Sequence, residues 1–114
     1  MFDLEKKIAV ITGAGSGIGK ATAELFASRN AKVFLLDLNE QALNEVRQAV
    51  TSNGGEAYPM PCNVAEQAEV LRTFQEIIQQ ESRIDILVNC AGIAHIGKLE
   101  STPEKDFDRI YHVN

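Results

Sequence analysis

A chain of 114 residues that is 45% hydrophobic and 24% charged has the composition of an ordinary soluble globular chain, with room for one domain at most. Its formal net charge of −5 gives no basic footprint for nucleic acid and no polybasic anchor for a membrane. No apolar run approaches the length of a bilayer span and Met1-Phe2-Asp3-Leu4-Glu5 is unlike a secretory leader, so the expected compartment is the cytoplasm.

Ile8-Ala9-Val10-Ile11 is a continuous apolar run, as expected of a central parallel strand covered on both faces. It runs into Thr12-Gly13-Ala14-Gly15-Ser16-Gly17-Ile18-Gly19 and then into a segment of helical periodicity that opens at Gly17, ends near Asn30 and holds Ile18, Ala21, Leu25 and Phe26 on one side. A strand passing through a glycine turn into a helix makes a phosphate site, because the first N–H groups of a helix lack internal partners and its dipole is positive there. The spacing excludes a P-loop: Ala14 stands where its first glycine belongs and Ala21 where the Mg²⁺-binding hydroxyl belongs. The common GxGxxG pattern also fails, since it requires glycine at Ile18 or at Lys20. What remains is Thr12-Gly13, three residues, Gly17, one residue, Gly19.

Lys32-Val33-Phe34-Leu35-Leu36 is a second buried strand that stops at Asp37. Asp37 follows the glycine turn by the ~20 residues at which a dinucleotide fold places an acid for the adenosine ribose hydroxyls. Such a carboxylate repels the 2′-phosphate of NADP, and neither Ser16 nor Leu38 supplies an offsetting cation, so NAD is preferred over NADP. The plainer reading of Asp37 is a strand-end residue that starts a turn. Asn39 is an N-cap for a helix with Leu43, Val46 and Val50 on its apolar stripe, stopped by Asn53-Gly54-Gly55.

The third strand position holds Glu56-Ala57-Tyr58-Pro59-Met60-Pro61-Cys62, and its two prolines exclude a central place. As the edge of a sheet ordered 3-2-1-4, it can turn both proline nitrogens away from strand two, since residues two apart share a side. Asn63 then opens the way to a helix over Ala65 to Glu81 with Val70, Phe74, Ile77 and Ile78 buried. Ile84-Asp85-Ile86-Leu87-Val88 is a fourth strand, leading into Asn89-Cys90-Ala91-Gly92. In that order the ends of strands three and four lie three steps apart, roughly 14 Å at ~4.8 Å per step, so Cys62 and Cys90 are expected as free thiols. They form no ligand cluster with His95 and His112, and no metal is assigned. After a loop from Ile93 to Ser101, Thr102 as N-cap, Pro103 and Glu104 announce a helix on which Phe107, Ile110, Tyr111 and Asn114 fall at i, i+3, i+4 and i+7.

Three of these stretches, TGxxxGIG at strand one, Asn89-Cys90-Ala91-Gly92 after strand four and His112-Val113-Asn114, together resemble the short-chain dehydrogenase/reductase family. The resemblance covers essentially the whole chain but only the first half or so of the family's domain. It implies an α/β Rossmann-type doubly wound parallel sheet, in which residues 1–114 form a single partial NAD-binding domain truncated after the helix following strand four. It implies cofactor contacts from Gly13, Ser16, Gly17, Ile18, Gly19, Asp37, Leu38, Asn63, Val64, Asn89, Ala91 and Gly92. Asn63 and Val64 stand at the family's Asp-Val pair, which holds adenine, with the charge lost at Asn63. Cys90 replaces the second asparagine of the family's NNAG motif. Asn89 supports the central strands, with Thr12 hydrogen-bonding near Ala91.

Asn114 matches the first member of the family's Asn-Ser-Tyr-Lys catalytic set. The serine, tyrosine and lysine have no counterpart in the chain: neither Tyr58 nor Tyr111 is followed four residues later by lysine. The resemblance therefore implies the cofactor-binding part of an NAD-dependent oxidoreductase that interconverts an alcohol and a ketone or aldehyde, homo-oligomeric at full length and inactive as these 114 residues alone. A fourth strand left as an unpaired apolar edge would make those residues aggregation-prone. The competing reading is a non-catalytic dinucleotide-binding module with a sensing or assembly role.

Overall fold

The computed structural model describes residues 3–91 and the backbone of 111–113. Its elements alternate as β1 (Ile8–Thr12), α1 (Gly17–Ser28), β2 (Lys32–Asp37), α2 (Glu40–Ser52), β3 (Glu56–Pro61), α3 (Gln67–Glu81), β4 (Ile86–Asn89) and β5 (Tyr111–Val113). Among the described residues all the pairings are parallel and the strand order is β3-β2-β1-β4-β5. The chain winds outward from β1 through β2 to β3, then returns to pair β4 on the other side of β1. This reversal places a crevice beyond the carboxyl ends of β1 and β4, where doubly wound sheets bind their ligands.

Alternation along the strands divides the apolar residues between two cores. Ala9, Ile11, Val33, Leu35 and Val88 pack with Ala23 and Ala27 of α1 and with Leu43, Val46 and Val50 of α2. Ile8, Val10, Phe34, Leu36 and Leu87 pack on the opposite face with Val70, Phe74 and Ile77 of α3. Every residue of β1 is buried, as its unbroken apolar run requires.

The edge position of β3 explains its prolines. Cys62 donates its N–H to the Asp37 carbonyl at 3.0 Å, so residues of the opposite parity, Pro59 and Pro61, have their nitrogens turned away from β2. Neither proline interrupts the ladder.

Three expectations are corrected. The face of α1 that packs on the sheet carries Gly19, Ala23 and Ala27, whereas Ile18, Ala21 and Leu25 are exposed. The helix lies so close to the glycine turn that a Cβ on Gly19 would stand 2.0 Å from the Gly13 carbonyl oxygen; only small residues fit there, and the bulky ones are displaced outward. Next, β4 starts at Ile86 rather than Ile84, because Asp85 terminates the ladder with its side chain. Its buried carboxylate accepts the Ile8 N–H at 2.8 Å while its own N–H donates to the Ile8 carbonyl at 2.9 Å. Finally, Tyr111–Val113 is a strand paired with Ile86–Val88, not a helical turn, so β4 is not an edge. The rest of the expected final helix, including Asn114, lies outside the described residues.

Candidate dinucleotide site

The site is built where β1, β2 and β4 end together. At the end of β1, the fully buried Thr12 hydroxyl donates to Asn89 Oδ1 at 2.8 Å and accepts the Ala91 N–H at 3.3 Å. One side chain thus locks the turn after β4 to the turn after β1. The backbones approach closely at this point: a Cβ on Gly13 would meet Ala91 N and the Cys90 carbonyl group at 3.0 Å, and Gly13 has φ +67°. Glycine at 13 satisfies both the left-handed backbone and the contact.

The turn itself is held from β2. Ala14 N–H donates to the Leu36 carbonyl at 3.2 Å, and Gly15 N–H donates to Asp37 Oδ2 at 3.0 Å. The other carboxylate oxygen, Oδ1, accepts the Asn39 N–H at 3.2 Å. Both contacts fix the orientation of the Asp37 carboxylate while leaving it half-buried at the rim. Ser16 is extended and makes no side-chain cap to α1, and α1 has no acidic residue in its first turn. Among the described residues, then, neither a capping side chain nor a first-turn acid occupies the positive end of the α1 dipole, the arrangement that suits an anion. Above Gly17, at φ +59°, none of the described residues lies within 4 Å of the place a Cβ would occupy. This open cradle over an uncapped helix start fits a pyrophosphate.

Two apolar side chains stand exposed at the same end of the sheet, Ile18 at 79% and Leu38 at 70%. Beyond β3, Asn63 is held by its own turn: its Oδ1 accepts the Ala65 N–H at 3.0 Å and its carbonyl accepts the Glu66 N–H at 2.9 Å. This turn delays α3 to Gln67. The amide oxygen expected to face adenine thus already has one local partner, with one lone pair remaining. Val64 beside it is half-buried. Gly92 and Asn114 lie outside the described residues.

Cys62, buried beside this turn, has its thiol pushed up by burial, opposed by a hydrogen bond to Thr73 and reinforced by the Glu69 carboxylate. It is a packing residue rather than a nucleophile. Tyr58 sits at the amino-terminal half of the edge strand, stacked on Phe34 with ring centroids 5.2 Å apart and donating to Glu56 at 2.7 Å. That hydrogen bond, with burial, raises its phenol above the ordinary range, the opposite of what a general base near neutrality needs.

Two carboxylates that shape the site were not singled out from the sequence. Glu69 accepts the Asn63 N–H at 3.0 Å. Asp85 joins β1 to β4 at the far end of the sheet, where Arg83 Nε donates to it at 2.9 Å, and so sets the register that brings Thr12 opposite Asn89. An acid within the apolar run Ile84 to Val88 is itself a signal, since a buried carboxylate must have partners.

A parallel sheet wound in both directions from β1, with a glycine turn and an acid at the ends of its first two strands, defines a dinucleotide-binding Rossmann protein. The short chain dehydrogenase model matches residues 7–114. An uncharacterized oxidoreductase of Thermotoga maritima is 43% identical over 113 residues, which are 99% of this chain and 44% of that protein. Among solved structures, a 7α-hydroxysteroid dehydrogenase complexed with NADH and 7-oxo glycochenodeoxycholic acid is 32% identical with a TM-score of 0.73, covering 95% of this chain and 42% of that one. A metagenomic short-chain oxidoreductase in complex with NADP is 30% identical with a TM-score of 0.73, covering 75% of this chain and 38% of the other. The chain belongs to the short-chain dehydrogenase/reductase family of oxidoreductases, which bind nicotinamide dinucleotides, and it spans less than half the length of these relatives.

Proposed function

We propose that these residues are the cofactor-binding part of an NAD(H)-dependent, cytoplasmic oxidoreductase that interconverts an alcohol and a ketone or aldehyde. The observation that carries the cofactor preference is the Asp37 carboxylate, anchored through Gly15 and Asn39 N–H groups at the rim of the crevice. An anchored carboxylate accepts hydrogen bonds from two ribose hydroxyls, and a phosphate on one of them would meet it charge to charge. The relatives include complexes with NADH and with NADP, so the preference rests on Asp37.

In this reading Gly13, Ser16, Gly17, Ile18 and Gly19 hold the pyrophosphate and its flanking ribose. Leu38, Asn63 and Val64 take the adenine, while Asn89, Ala91 and Gly92 line the way to the nicotinamide. The cofactor, when bound, supplies the hydride acceptor or donor. The chain's own part is to bind and orient it: α1 turns its first N–H groups and the positive end of its dipole toward phosphate charge, and the Thr12–Asn89 bond keeps the β1 and β4 turns at a fixed separation. Asn114 is assigned to the catalytic set by the family resemblance of His112-Val113-Asn114.

The competing reading, a dinucleotide module without chemistry, draws no support from relatives that are themselves oxidoreductases. Reading the coding sequence beyond Asn114 tests the proposal. A serine and a Tyr-x-x-x-Lys downstream are expected, and a stop codon without them would sink the enzymatic reading.

A further inference from the structure

We infer that Glu69 is a positioning residue for the adenine end of the site, an inference that rests on the cofactor reading above and extends it to a residue outside the family's motifs. Glu69 is the third residue of α3, whose N-cap is Glu66. A capping-box glutamate in this place reaches back to the N–H of the N-cap itself. Glu69 reaches past it. Its Oε1 accepts the N–H of Asn63 at 3.0 Å, three residues upstream of the N-cap and outside the helix.

The other bonds of this turn are local: Ala65 N–H to Asn63 Oδ1 and Glu66 N–H to the Asn63 carbonyl. They shape the turn and reach only as far as the N-cap, not the body of α3. The Glu69 bond ties it to a helix whose next residue, Val70, is buried in the core. Glu69 is also steadied from behind, since the Thr73 hydroxyl donates to its carbonyl at 2.8 Å. On the strand side the turn is held by the Cys62 N–H on the Asp37 carbonyl at 3.0 Å. The peptide at Asn63 is thereby clamped between β2 and α3.

The clamp has a specific use at this position. A neutral amide makes a weaker bond to an adenine amino group than a carboxylate does, and Asn63 already spends one oxygen lone pair on Ala65. Its remaining lone pair is useful only if the side chain is correctly aimed. Glu69 fixes the backbone from which that aim starts.

Calorimetric binding of NADH and of reduced nicotinamide hypoxanthine dinucleotide to the natural full-length protein tests this, because the second ligand lacks the adenine amino group. The unsubstituted protein is expected to prefer NADH. Glu69→Ala is expected to lose about three- to tenfold in NADH affinity and to narrow the preference by a similar factor, the scale of one lost hydrogen bond. Glu69→Gln, whose amide oxygen can still accept, is expected to keep both within about twofold, and Glu69→Asp, too short to reach, to behave like Glu69→Ala. If Glu69→Ala does not fold, the Asp and Gln variants carry the comparison. A lowered melting temperature with an unchanged preference in Glu69→Ala or Glu69→Asp overturns the inference and leaves Glu69 as a helix-start residue. Failure of the unsubstituted protein to bind either ligand overturns the dinucleotide reading itself, and that outcome is visible without any Glu69 variant.

Discussion

The Asp37 carboxylate accepts the backbone N–H of Gly15 at 3.0 Å. The acid at the end of β2 is therefore part of the architecture of the glycine turn before any ligand is considered. A Cβ on Gly15 would stand 2.8 Å from Asp37 Oδ2, so a side chain at position 15 would have to displace the carboxylate. In the proposed cofactor reading, Asp37→Ala removes a ribose acceptor together with a support of the glycine turn. We expect NADH to bind about tenfold more weakly and discrimination against NADPH to fall, since a charge-assisted bond is worth about 1.5–3 kcal/mol. Calorimetric titration with both cofactors checks this, and retained discrimination would assign the preference elsewhere.

Gly19 and Gly17 separate packing from backbone strain. At Gly19 an added methyl meets the Gly13 carbonyl at 2.0 Å, so Gly19→Ala must push α1 off the turn. The expected loss is about 1–3 kcal/mol or more. At Gly17 the described residues leave open space but φ is +59°, so Gly17→Ala loses about 1–3 kcal/mol through strain alone and places a methyl over the proposed pyrophosphate cradle. Urea unfolding with NADH titration distinguishes them: Gly17→Ala is expected to lose proportionally more binding than stability.

Thr12→Val preserves the shape of a fully buried side chain while deleting its hydroxyl. Asn89 Oδ1 loses its donor and Ala91 N–H its acceptor. Destabilisation of about 1–3 kcal/mol is expected for buried groups left unpaired. An unfolding midpoint equal to that of the unsubstituted protein would contradict the role given to Thr12.

Stability should decline on the alkaline side. Cys62 is raised by burial above its ordinary 9.0. Tyr58 is raised by its hydrogen bond to Glu56 above 10.0. Lys32 is raised by its hydrogen bond to Glu81, at 2.9 Å, above 10.5. In each case the folded state holds a proton that the unfolded chain releases first, so the contribution is complete below the unfolded value and lost as pH rises through the folded one. Melting temperatures are therefore expected to fall from about pH 9 upward, with Cys62→Ala flattening the earliest part. A flat profile from pH 8 to 11 would contradict these assignments.

The spacing of glycines, the acid after β2 and the Asn39 cap were legible because each expresses a local rule. Asn39 does accept the Ala42 N–H at 3.0 Å. The buried face of α1 was not legible, because it depends on how closely the helix approaches Gly13, a distance that periodicity does not encode. Asp85 was hidden for a similar reason: its partner Ile8 is 77 residues away. Tyr111 to Val113 show the limit of short patterns. Helical spacing from Phe107 is outweighed there by pairing with β4, and a three-residue strand has too little alternation to announce itself. Glu69 was hidden too, because its reach past the N-cap follows from the turn at Asn63.

The central claim is that the crevice above β1 and β4 takes NAD(H), with Asp37 on its ribose. It is tested most directly by calorimetric titration of the natural full-length protein with NADH and, separately, NADPH. We predict saturable one-site binding of NADH at least tenfold tighter than NADPH, which corresponds to about 1.4 kcal/mol. Equal affinities, or tighter binding of NADPH, would contradict it.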